Sequence, residues 1–98
     1  MKPYEIILQQ IGGKTFIAFT GAYNILHFGD NILRFRFRGS EDFDFCSIAY
    51  KPFPDLYEMR IGKVGEDGQL ANEQVMDGVY FDQLVEIFER TTGVFAHM

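Results

Sequence analysis

The sequence predicts an α+β fold: an antiparallel sheet of four to six strands with N- and C-terminal helices packed on one face. Three observations lead there. Apolar residues recur at helical spacing near each end, as Tyr4, Ile7, Leu8 and Ile11 and again as Phe81, Leu84, Val85 and Phe88. The intervening chain is β-branched and aromatic, and is cut at short intervals by Gly, Asp, Asn and Pro turns. Short connections favour a meander in which neighbouring segments pair.

In order, the first helix covers residues 3–11. Pro3 suits its first turn, where the missing N–H costs nothing, and Gly12-Gly13 ends it. "KTFIAFTGA" (14–22) reads as a strand or a tight buried connection ending at Gly21. "YNILHF" (23–28) and "ILRFRFR" (32–38) are two strands around the turn "GDN". "DFDFCSIAY" (42–50) is a further strand, closed by "KPFPD", whose prolines cannot continue a central ladder. "LYEMRIGKV" (56–64) alternates, with Tyr57, Met59 and Ile61 on one face and Glu58 and Arg60 on the other. After the turn "GEDG", "LANEQVMD" (70–77) returns as a more polar edge strand. The last helix covers 79–91, with Asp77 placed as its cap and Gly93 as a left-handed terminator. "VFAHM" (94–98) either packs back or frays.

One domain, 1–98, fits a chain of 98 residues, and 47% hydrophobic with 23% charged residues is globular rather than disordered. Aromatic content is 16%, with eleven Phe, five Tyr and no Trp, so large rings supply apolar contact without disulfides. Cys46 is the single cysteine, which excludes an internal disulfide and fits a reducing compartment. A net charge of −5 disfavours a general nucleic-acid binder, whose affinity rests on Lys and Arg. The start lacks the apolar core of a signal peptide, and no run approaches the ~18 residues of a membrane span. The chain therefore reads as soluble and cytoplasmic, with no membrane partner.

"LRFRFRGSEDFDF" (33–45) sets three arginines and then two aspartates on alternate positions. In a strand, Leu33, Phe35 and Phe37 share one face, and Arg34, Arg36 and Arg38 the other. A three-residue loop, Gly39-Ser40-Glu41, would put Arg38 opposite Asp42 and Arg36 opposite Asp44. Phe37 would then meet Phe43, and Phe35 would meet Phe45, each pair contributing about 0.2–1 kcal/mol. Arg34, facing Cys46, is then the arginine left free. The competing reading is a phosphate or acidic-partner site using Arg34 and Arg36, joined by Arg60 if its strand is a neighbour. Likewise Phe35, Phe37, Phe43 and Phe45 are either the core under the helices or an exposed platform for bases.

Catalytic candidates are few. Ser40, Ser47, Cys46, His27 and His97 form no nucleophile–base signature, and a mid-strand cysteine such as Cys46 is ordinarily a small core residue. No His/Cys spacing suits a metal, "GEDGQLANEQ" lacks the pattern of a calcium loop, and "GKVG" lacks that of a phosphate loop. No catalytic residue, cofactor or metal is assigned.

"QQIGGKTFIAFTGAYN", "LYEMRIGKV" and "GVYFDQLVEIFERTTG" together resemble a family of small phage-, prophage- and other mobile-element-encoded proteins. The matching positions are Gly12-Gly13, Thr20 to Asn24 (T-G-A-x-N), Leu56 to Gly62 (L-Y-x-x-x-x-G), Val79 to Leu84 (V-Y-x-D-Q-L) and Thr92-Gly93. The "RGSEDFDF" hairpin and the "KPFPD" insertion depart from it. The resemblance implies a mobile-element origin and a role inside an infected bacterial cell, and it brings no activity with it. The expected function is thus a small non-enzymatic binding protein, an inhibitor or accessory factor for a host or phage protein, or a homodimer. The alternatives are a nucleic-acid accessory protein using Arg34, Arg36 and Arg60, and a small enzyme centred on Cys46.

Overall fold

The computed structural model describes residues 1–97. Its elements run α1 (Pro3–Ile11), α2 (Lys14–Thr20), β1 (Tyr23–Phe28), β2 (Ile32–Arg36), β3 (Phe45–Lys51), β4 (Leu56–Val64), β5 (Leu70–Val79), a 3-10 turn (Phe81–Gln83) and α3 (Leu84–Thr92). The strands form one antiparallel meander in the order β1-β2-β3-β4-β5. The predicted α+β class is the observed one. α1 lies on β2 and β3, and α3 lies on β4 beside α1.

The core forms where helical stripes meet the inward side chains of the strands. Ile7, Ile11, Phe16, Leu84 and Phe88 pack from the helices onto Leu33, Phe35, Cys46, Ile48, Met59 and Ile61, all buried. Four rings lie at its centre. Phe16 meets Phe35 at 5.3 Å and 81°, Phe88 meets Phe37 at 4.8 Å and 79°, and Phe16 and Phe88 are 5.1 Å apart. The first two pairs are edge-on, which suits the ring quadrupole and adds to the area buried.

Three expectations are corrected. Residues 14–20 are helical, not extended. Gly13, at φ 55, lets the chain leave α1 and re-enter a helix at once. Phe16 and Thr20 then fall one turn apart and are both buried, and the Thr20 hydroxyl donates to the Phe16 carbonyl at 2.8 Å. Packing against Phe35 and Phe88 outweighs the strand-like composition.

The last helix begins later than residue 79. Val79 is buried opposite Tyr57, so β5 continues through it, and the N–H of Tyr80 donates to Gln83 Oε1 at 3.1 Å where the helical segment starts. Asp77 belongs to β5 and caps nothing. Phe81 of the expected stripe is exposed, while Leu84 and Phe88 are buried. Beyond Gly93, at φ 76, Val94 and Ala96 pack into the core, and Met98 lies outside the described residues.

The third correction concerns the β2–β3 register. Arg36 pairs with Phe45, Phe35 with Cys46, and Arg34 with Ser47, one residue away from the expected hairpin. The chain from Phe37 to Asp44 is a longer loop, in which Ser40 Oγ accepts the N–H groups of Asp42 and Phe43 at 3.3 and 3.2 Å. Cys46 and Ile48 consequently take the core face, and Phe45 joins the arginines outside.

Replacing Phe88 by Ala should lower unfolding free energy by about 3–5 kcal/mol, read as a urea midpoint shift at unchanged slope. Phe95→Ala, at a ring 74% exposed, should stay within about 0.5 kcal/mol of the parent.

Candidate functional site

Because Phe35 faces the helices, its neighbours Arg34 and Arg36 face away from them. Cross-strand register then assembles the uncovered face in rows. One row runs Leu26, Arg34, Ser47, Arg60, Val75, the next Phe28, Ile32, Ala49, Glu58, and a third pairs Arg36 with Phe45. Arg34, Arg36 and Arg60, on strands separated by β3, are thereby brought to one face. Between Arg34 and Arg60 lies a depression of about 520 Å³ whose walls include Ile32, Arg34, Phe45, Ser47, Arg60 and Glu73.

The arginine row is organised by rings more than by the aspartates. The Arg34 guanidinium sits 4.2 Å from the centre of the Phe28 ring, and those of Arg38 and Arg36 sit 4.3 and 5.9 Å from that of Tyr23. Only Arg36 keeps its expected acid, with Nη2 2.9 Å from Asp44 Oδ2. The expected Arg38–Asp42 pair does not form, and Arg34 faces Ser47 rather than Cys46. Among the described residues Arg34 has no carboxylate within ion-pair distance, and its Nε is buried without a hydrogen-bond partner. Phe35 and Phe37 are core, Phe43 packs on its margin, and Phe45 alone of the four joins the uncovered face.

On the β4–β5 side the charges are matched. Arg60 donates from Nε to Glu58 at 2.9 Å and from Nη1 to Glu73 at 3.4 Å, and Lys51 bridges Glu58 and Asp77 at 3.1 and 3.2 Å. The Arg60 hydrogen bond, then that of Lys51, holds the Glu58 carboxyl below its ordinary range, against a smaller desolvation effect. Glu58 in turn raises the Arg60 guanidinium.

The other candidates are not brought together. Cys46 is fully buried under the helices, and burial pushes its thiol far up. The His27 ring lies flat on Tyr4 at 3.9 Å, on β1 opposite Leu33. A second hollow of about 560 Å³ is lined by Gln10, Asp55, Tyr57 and Phe81, and the Tyr50 hydroxyl donates to Asp55 at its edge. Among the described residues no group of three or more His, Cys, Asp or Glu is placed to hold a metal, and no helix is long and apolar enough to cross a membrane.

The sequence reading misses Phe28 and Tyr23 as site residues, and it names Ser47 only among the nucleophiles and Phe45 only within a four-ring platform. The available signal was the alternation Cys46, Ile48 against Phe45, Ser47, Ala49, which places the small and polar set outside. No protein-family model, curated protein or solved structure matches the chain.

In the folded protein a thiol-specific aromatic disulfide should leave Cys46 unmodified, with one equivalent released in urea. Fast modification of the folded state would restore the thiol-enzyme reading. For Glu58, a depressed folded pKa means that its stabilisation is present above the ordinary value of 4.5 and is lost as pH falls through the lower folded value. Glu58→Gln should therefore lose less stability than the parent on acidification below about 4.5, measured by denaturant titration across pH.

Proposed function

We propose that this chain is a small non-enzymatic interaction protein that docks the uncovered face of its sheet on a partner protein. One observation carries the reading. Both helical layers lie on the same side of the sheet, and the opposite face is not the polar surface that a solvated antiparallel sheet presents. Ile32, Phe45, Ala49, Val64 and Leu70 are half-buried around Arg34 and Ser47, with Leu26, Phe28 and Val75 exposed at the periphery. An apolar surface ringed by charged groups is the usual form of a protein-docking site. The resemblance to phage- and prophage-encoded proteins fits an inhibitor or accessory factor acting on a host protein in the bacterial cytoplasm.

A second reading rests on the arginines stacked over Phe28 and Tyr23. Guanidinium groups and rings on a sheet face also suit single-stranded nucleic acid. Against it stand the net charge of −5 and the Glu58, Glu73 and Asp77 carboxylates on the same side of the molecule.

Affinity capture from bacterial lysate should recover a discrete protein with the parent and lose it with the double variant Ile32→Glu, Phe45→Glu, provided both have the same circular dichroism. Equal recovery by both, or none by either, overturns the reading. Sedimentation velocity on the same pair tells whether a second copy is the partner. An oligonucleotide complex at low salt that weakens steeply as salt rises would establish the nucleic-acid alternative.

A further inference from the structure

We infer that the uncovered face contains an anion subsite for a single carboxylate, with Arg34 and Ser47 as its donors. This rests on reading that face as a protein-docking surface, and it names what the partner presents there: one Asp or Glu flanked by apolar side chains.

Ser47 is the centre of the row Arg34–Ser47–Arg60. It is one of only two buried polar residues among those described, 7% exposed, and its hydroxyl makes no hydrogen bond to another described residue although it lines the depression. Arg34 is its direct cross-strand neighbour, so the two side chains rise about 5 Å apart from adjacent strands. The guanidinium is covered on one side by Phe28 and has a buried, unpaired Nε. Both side chains line the same hollow, and neither has an acceptor among the described residues. Covering the face with a purely apolar partner would strip the remaining water from an unpaired guanidinium, which is strongly unfavourable. A partner that covers it must therefore bring an acceptor, and a carboxylate matches the planar fork of arginine with a third bond from the hydroxyl.

Charge selects one carboxylate over a polyanion. In the depression Arg34 and Arg60 are balanced by Glu58 and Glu73, and Arg60 is already engaged by both acids. A chain of phosphates would run its repeated charges past those carboxylates. A single carboxylate meets the guanidinium of Arg34, which among the described residues has no carboxylate within ion-pair distance, while its apolar neighbours cover Ile32, Phe45 and Val64.

The test uses two capped tripeptides, a glutamate between two leucines and its glutamine counterpart. Each is titrated into the intact protein with the amide and arginine Nε–H signals followed by NMR. The glutamyl peptide should shift Arg34 Nε–H and the amides of 46–48 saturably, about tenfold more tightly than the glutaminyl one. Arg34→Gln should erase that preference and Ser47→Ala should narrow it, while Arg90→Gln on α3 leaves it unchanged. If Arg34→Gln does not fold, Arg34→Lys and Ser47→Ala carry the comparison. Equal binding of the two peptides, no binding of either, or a preference that survives loss of Arg34, overturns the subsite. Tighter binding of inorganic phosphate or a thymidine decamer overturns its assignment to carboxylate. Partner capture without the peptide preference retires the subsite alone, and the preference without capture retires only the docking reading.

Discussion

The packing of Phe16, Phe35, Phe37 and Phe88 is the constraint on which the remaining geometry depends. Two of the four rings sit on alternate positions around Arg36, at the end of β2, so seating them under the helices fixes the parity of that strand. A one-residue slip would drive Arg34 and Arg36 into the ring layer, at a cost of several kcal/mol per buried charge. The arginines therefore face outward as a consequence of where the phenylalanines go. Asp44 carries this phase into the next strands. Its carbonyl accepts the N–H of Phe37 at 3.1 Å, its own N–H donates to the Gly62 carbonyl at 3.0 Å, and its Oδ1 accepts the N–H of Val64 at 2.9 Å. With Arg36 on Oδ2, one residue ties the ends of β2, β3 and β4.

How far the sequence announces this arrangement depends on how many forces agree at each position. They agree in α1, where spacing, Pro3 and the glycine pair all point to a helix, and in β4, where Tyr57, Met59 and Ile61 alternate with Glu58 and Arg60. Both elements are found at the expected residues. They disagree at 14–20, where Thr, Ile and Phe favour strand locally and only the distant rings of Phe35 and Phe88 select a helix. At the start of the last helix the conflict is between a periodic stripe from Phe81 and the burial of Val79 in the sheet. The ladder wins, because Val79 completes the core beside Tyr57.

The hairpin register shows the same competition with magnitudes attached. Matching arginines to aspartates across the strands offers about 0.2–1 kcal/mol per pair, and exposed pairs often less. The observed register buries Ile48, worth about 1.5–3 kcal/mol, and Cys46 with it, in exchange for Phe45, and leaves Ser47 and Ala49 off the core face. The observed register keeps only the Arg36–Asp44 pair of that charge ladder. Arg34 and Arg38 then recover part of the difference on Phe28 and Tyr23, where a cation over a ring is worth about 0.5–1 kcal/mol. The site residues were thus half legible. Arg34, Arg36 and Arg60 are visible as outward positions from parity alone, whereas for Ser47 and Phe45 the alternation with Cys46 and Ile48 competes with the arginine–aspartate match, and the β2–β3 register decides between them.

That outcome also shapes how the face can recognise anything. Around the depression, Glu58 and Glu73 offset Arg34 and Arg60, so the field a few tens of ångströms away is weak, and at physiological salt it decays within about 8 Å. Long-range steering, which serves binders of polyanions, has little to act on here. Discrimination must come after contact, from whether an approaching surface fills the space over Ile32 and Phe45 and also supplies an acceptor to Arg34. A partner lacking the acceptor is penalised by an unpaired buried guanidinium, and one with too many negative charges is penalised by Glu58 and Glu73. On the proposed docking reading such a face would reject more surfaces than it attracts, and selectivity of that kind appears in how long a complex lasts rather than in how fast it forms.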